Sequence, residues 1–137
     1  MSRRVSGRAR DCAAPARPAL SDDPATNTWV QRASLPTARS GLAAAVIGGT
    51  IYAIGGALST TFTNASSAVD AYDPGTDSWV PKTSMAAARF HLGAIALGGT
   101  LYVLGGVNEN GTTALVEAGF VAGYVPPPGT VALAGRL

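Results

Sequence analysis

Apolar and polar positions along this 137-residue chain recur with a period of 50. SLPTARSGLAAAVIGGTIYAIGG at 34–56 is followed, with no gap between copies, by SMAAARFHLGAIALGGTLYVLGG at 84–106. The pattern within a unit predicts four short strands. Residues 42–47 and 50–54 are apolar runs rich in β-branched and aromatic residues, split by Gly48-Gly49. That is a hairpin signal, because a two-residue type I′ turn needs positive φ at both positions. Ser67 to Tyr72 alternates as a third strand, Asp73-Pro74-Gly75-Thr76-Asp77 is a turn, and Ser78 to Lys82, carrying Trp79, is the fourth. Proline presets φ there, glycine tolerates the left-handed region, and the Asp carboxylates accept backbone N–H bonds.

The second unit repeats the first two strands at 92–97 and 100–104, with a weaker third around 113–120. A four-stranded meander recurring at this spacing is a propeller blade that must stack on neighbours to bury its faces. The fold class expected is therefore all-β, built from antiparallel four-stranded blades. Propellers close with about four to eight blades, so a ring at this spacing needs roughly 200 residues or more. This chain holds about two blades and forms an incomplete propeller.

The residues also carry a family resemblance. A double glycine closing strand 2 (Gly55-Gly56), Tyr72-Asp73-Pro74 before Trp79, and Arg39 opening strand 1 together resemble kelch repeats, with Gly105-Gly106, Arg89, Asp23-Pro24 and Trp29 as further matches. Kelch repeats often place a His three residues after the Arg, where this chain has Leu42 and Leu92; its one histidine, His91, sits one residue earlier. Gly119-Phe120-Val121 stands where the second unit's Tyr-Asp-Pro turn would begin. The resemblance implies a binding scaffold for a protein partner, with structural roles for Gly48, Gly49, Gly55, Gly56, Gly98, Gly99, Gly105, Gly106, Tyr72, Asp73, Trp29 and Trp79. The two tryptophans are expected to pack between blades. The alternatives left open are a fragment of a larger secreted or periplasmic carbohydrate-active propeller, and a truncated reading frame without independent function.

Charge divides the chain. Arg3, Arg4, Arg8, Arg10 and Arg17 face only Asp11 in the first seventeen residues, whereas residues 22–119 carry a net −3. The expected layout is a disordered basic tail over 1–21, two blades over 22–120 (34–83 and 84–120, with an orphan fourth strand at 27–33), and a Pro/Gly-containing tail over 121–137. The basic tail lacks interleaved aromatics and an amphipathic period, so neither nucleic acid nor a membrane is expected as a partner. No apolar run reaches the roughly 18 residues of a membrane span, and Pro15, Arg17 and Pro18 interrupt any secretory core. A cytoplasmic location is the default expectation.

Candidate chemistry is sparse. Kelch-like propellers of the galactose oxidase type hold copper with imidazoles, tyrosines and a cysteine cross-linked to a tyrosine; one histidine and Cys12 in the tail do not supply that set. No cofactor, no metal and no catalysis are expected. In an up-and-down blade the 2–3 and 4–1 connections share one face, so Thr60–Ser66, Asn108–Thr112, Pro36–Arg39 and Ala86–Arg89 gather on one rim. Loops held on a rigid frame are where binding residues concentrate. The candidates there are Arg39, Arg89, His91, Thr61, Asn64, Asn108 and Asn110. For the arginines two readings stand: guanidinium forks for carboxylates of a peptide or acidic ligand, or hydrogen bonds to carbonyls of the neighbouring blade that fix blade spacing. The expected partners are an unidentified protein and, through unpaired strand edges, other copies of the chain or further blades.

Overall fold

The computed structural model describes residues 19–121. Their one complete blade runs in meander order: β3 (Ala43–Ile47), β4 (Thr50–Ile54), β5 (Val69–Asp73) and β6 (Ser78–Lys82), each antiparallel to the next. Before it lies the hairpin of β1 (Ala19–Asp23) and β2 (Thr28–Arg32); after it come β7 (Gly93–Leu97), β8 (Thr100–Leu104), β9 (Val107–Asn108), β10 (Gly111–Thr112) and β11 (Val116–Phe120). β7, β8 and β11 form a three-stranded sheet, and β9 with β10 makes a small extra hairpin in its 2–3 connection. The architecture is that of antiparallel propeller blades, and among the described residues the sheets do not close into a ring. No helix among these residues is long and apolar enough to cross a membrane.

The turns form as their residues dictate. Gly48 and Gly49 take φ of 56° and 82°, and Gly98 and Gly99 repeat this at 56° and 79°. Asp73 Oδ1 accepts the Gly75 N–H at 2.8 Å, and Asp23 Oδ1 accepts the Ala25 N–H at 3.0 Å in the same device 50 residues earlier. The turns end on Asn27 and Asp77, both left-handed, where short polar side chains tolerate that region better than branched ones.

The main core lies between two sheets. Tyr52, Ile54 and Val69 of the complete blade meet Leu92, Leu101 and Val103 of the following one, with the innermost strands β3 and β7 side by side. Ile54 is fully buried, a burial that contributes about 1.5–3 kcal/mol. The outward faces are less covered than the continuous apolar runs predict. Val46 on β3 and Ile95 and Leu97 on β7 stay more than half exposed, because among the described residues no sheet packs on those sides.

Three expectations change. Residues 27–33 are not an orphan strand: β2 pairs along its whole length with β1, Asp22 opposite Trp29, and blade structure begins by Ala19 rather than at 22. The polar run Ser21-Asp22-Asp23 hides this strand from hydrophobic periodicity, and the turn at Asp23-Pro24 creates it. Trp29 does not pack between blades; it is 66% exposed, since no preceding sheet among the described residues covers it. The third strand of the last sheet starts at Val116, later than 113, because β9 and β10 take up part of the connection. The tails expected over 1–21 and 121–137 fall outside the described residues apart from Ala19–Ser21 and Val121.

Candidate binding rim

Arg39 and Arg89 open the innermost strands and turn inward. Arg39 donates through Nη1 to the Ala68 carbonyl at 3.1 Å and through Nη2 to Asp70 Oδ2 at 2.7 Å. Arg89 donates through Nη1 to the Gly105 and Leu115 carbonyls, at 2.9 and 3.0 Å, and through Nη2 to Glu117 Oε2. Both side chains are 0% exposed, so neither guanidinium is open to a ligand, which corrects the binding reading. The spacing reading also needs correction, because every acceptor lies in the arginine's own blade. Each arginine ties the start of strand 1 to the loop and third strand of its sheet. Blade spacing is set instead by main-chain bonds: Gly56 N–H to the Arg89 carbonyl at 2.8 Å, Arg89 N–H to Ser66 at 3.2 Å and Met85 N–H to Ser67 at 2.9 Å.

With its arginines buried, the rim is built from rings. His91 occupies the repeat position of Gly41, and both backbones are left-handed, at φ 50° and 60°. The His91 N–H donates to the Gly41 carbonyl at 2.7 Å. A Cβ on Gly41 would stand 2.6 Å from His91 Cδ2, so the glycine makes room for the imidazole of the next blade. Phe62, also left-handed at φ 55°, reaches over from the 2–3 loop of the complete blade. Its ring centroid lies 5.0 Å from that of His91 and 5.5 Å from that of Phe90, and Phe90 meets His91 edge-on at 5.1 Å. Phe90 is buried, while Phe62 and His91 face solvent. Ring pairs at these separations contribute about 0.5–1.5 kcal/mol each beyond burial.

The other rim candidates flank this cluster. Thr61 is exposed, its Oγ1 bridging Ser59 and Thr63 at 3.4 and 3.0 Å. The Asn64 carbonyl accepts the Leu58 N–H at 2.8 Å, folding the loop back beneath Phe62. Asn108 and Asn110 sit on the β9–β10 hairpin, where Asn108 Oδ1 accepts the Asn110 N–H at 2.9 Å; the hairpin joins the cluster through the Phe90–Val107 bridge. Sequence reasoning missed Phe62 and Phe90. The available signal was the placement of these two phenylalanines in variable loops, one of them next to the chain's one histidine. It also missed Asp70 and Glu117, whose roles appear only once the arginines turn inward.

The model of the kelch motif matches residues 38–86. The chain carries a kelch repeat. Among solved structures, that of YjhT matches it with a TM-score of 0.56 at 23% identity, over 64% of this chain and 25% of that one. The chain thus spans a quarter of the length of that structure, and the likeness establishes the propeller-blade fold. The matched repeat covers the complete blade, from just before Arg39 to the linker into the next sheet.

Proposed function

We propose that the protein is a non-catalytic scaffold that binds another protein through the rim formed by Phe62, His91 and the flanking Thr61, Asn64, Asn108 and Asn110. The observation that carries this reading is the exposed ring cluster held in strained backbone. Phe62 and His91 both adopt left-handed φ, a conformation costing an L-residue about 1–2 kcal/mol. Such strain concentrates at binding and switch sites, and exposed aromatics anchored on a rigid frame are the residues that dominate protein interfaces. The kelch repeat supports a scaffold role. The His91 imidazole packs against the rings of Phe62 and Phe90, which fixes the orientation in which it meets a partner.

The test uses the backbone itself. Phe62→Gly with His91→Gly removes both rings at positions whose φ suits glycine, so the fold persists while the rim is stripped. Cross-linking and mass spectrometry on wild type and this variant should identify a partner that the variant no longer captures. Equal capture of every partner by both proteins would overturn the reading.

A further inference from the structure

The β9–β10 hairpin carries Asn108-Glu109-Asn110-Gly111 across its turn, on the rim that the Phe90–Val107 bridge joins to the ring cluster. Of the chain's four asparagines, Asn27, Asn64 and Asn108 are followed by Thr28, Ala65 and Glu109, and Asn110 alone by glycine. That neighbour decides how closely a carboxamide can approach the next peptide nitrogen, because a glycine has no Cβ to stand in the way. Gly111 sits at a positive φ of 106°, and a Cβ built on it would meet nothing within 4 Å. Open space surrounds the junction.

The two asparagines of the turn are held differently. Asn108 Oδ1 accepts the Asn110 N–H at 2.9 Å, which fixes the Asn108 carboxamide in an Asx turn. Asn110 is exposed, and among the described residues its carboxamide makes no hydrogen bond. Closing a ring through Gly111 requires the tip to leave its turn geometry. The ladder that resists this is two pairs long, Gly111 opposite Asn108 and Thr112 opposite Val107, and an isolated two-stranded hairpin is marginally stable in water. Arg89 grips the Gly105 and Leu115 carbonyls at the base, so the tip opens without the sheet behind it.

We infer that Asn110 is a self-modification site, where the chain converts the amide to a carboxylate through a succinimide with Gly111 while Asn27, Asn64 and Asn108 persist. The Gly111 nitrogen attacks Asn110 Cγ; the N–Cγ bond forms as the Cγ–Nδ2 bond breaks, and the amide leaves as ammonia with the proton of the Gly111 N–H. Water then opens the ring at either carbonyl. One opening gives aspartate and the other isoaspartate, with the main chain rerouted through the side chain. Water is consumed, ammonia is released, and nothing is oxidised or reduced. Either product sets a carboxylate beside Glu109, on a rim whose arginines, Arg39 and Arg89, are buried. Isoaspartate also lengthens the main chain of the turn. The effect of these changes on a partner rests on the binding role proposed for the rim; the modification itself does not.

The full chain is incubated in neutral and in mildly alkaline buffer, then digested and read by mass spectrometry with fragmentation that separates aspartate from isoaspartate. The free peptide VNENGTT, residues 107–113, sets the reference rate. Asn110 should gain the mass of an amide-to-acid exchange in both isomeric forms, faster at the higher pH, while Asn64 and Asn108 stay unchanged. Gly111→Ala should slow the conversion severalfold, since its methyl group crowds the attacking nitrogen. A loosened hairpin would speed the reaction, so slowing is not mimicked by misfolding. An intact Asn110 over a period in which the free peptide converts, equal conversion at Asn64 or Asn108, or an unchanged rate in Gly111→Ala would each overturn the proposal. None of these measurements involves a partner, so their outcome is separate from that of the rim's binding test.

Discussion

Trp79 donates its indole N–H to the carbonyl of Ala33, 46 residues earlier, at 2.9 Å. One bond thus fastens the outermost strand of the complete blade to the linker that leaves the blade before it. Asp77 takes the N–H of the same residue, so both main-chain groups of Ala33 are satisfied from one turn and one strand. Trp79→Phe keeps a ring against Tyr72 and loses the donor. The expected cost is about 1–2 kcal/mol, a lost hydrogen bond that leaves a carbonyl part-buried. Urea denaturation checks this, and an unchanged midpoint would show that the bond does not hold the junction.

The same junction titrates. The Ala33 N–H, and after it the Tyr72 hydroxyl, hold the Asp77 carboxyl below the usual carboxylate range. The bond to Asp77, with lesser contributions that include burial, pushes the Tyr72 phenol above its ordinary value. A depressed carboxyl contributes stability that is present above its unfolded pKa and lost as pH falls through the folded one. A raised phenol contributes stability present below its unfolded pKa and lost as pH rises through the folded one. The melting temperature should therefore hold a plateau between these limits and fall on both sides. Asp77→Asn should flatten the acid side of that profile, and an identical acid limb in the variant would assign the pH dependence to other carboxylates.

How much of this was legible in the sequence depends on what each residue answers to. The hairpin glycines, the Asp-Pro turn and strands β3, β4, β6 and β8 were readable, because local turn chemistry and β-rich apolar runs decide them. β1 was not, since Ser21, Asp22 and Asp23 have no apolar face and the strand exists only through its pairing with β2. The arginines were readable as important and not as buried. Whether a guanidinium points to solvent or inward depends on Asp70 and Glu117, which lie 31 and 28 residues away. The ring cluster of Phe62, Phe90 and His91 depends on two blades coming together, which no single stretch of sequence encodes.

Gly41 and Gly49 separate conformational strain from collision. Both are left-handed, at φ 60° and 82°. An added Cβ at Gly49 meets nothing within 4 Å, while at Gly41 it meets His91 Cδ2 at 2.6 Å. Gly49→Ala should cost about 1–2 kcal/mol, the left-handed penalty for an L-residue. Gly41→Ala should cost more by displacing the imidazole, and His91→Gly should recover that excess. Denaturation of the two single variants and the double variant gives the coupling; strictly additive losses would mean that the histidine ring moves aside freely.

The two arginines differ in what depends on them. Arg39 serves one carbonyl and Asp70, whereas Arg89 serves two carbonyls and Glu117. Removing either leaves a carboxylate in a poorly solvated place without its counter-charge, a change that costs about 3–5 kcal/mol for buried pairs. Glu117 is the more exposed of the two carboxylates, its side chain 23% accessible against 11% for Asp70, so the ion pair alone would make Arg39→Ala the worse variant. The carbonyls reverse the order. Gly105 and Leu115 bracket the β9–β10 loop, so losing Arg89 frees both ends of the hairpin that carries Asn108 and Asn110. Arg89→Ala should therefore destabilise more than Arg39→Ala in urea denaturation, and Arg89→Lys, a point charge that satisfies fewer acceptors, should fall between wild type and Arg89→Ala. Hydrogen exchange should rise first across residues 105–115 in the lysine variant. A larger loss for Arg39→Ala, with exchange at 105–115 unaltered in Arg89→Lys, would show that the carboxylates rather than the carbonyls set the order.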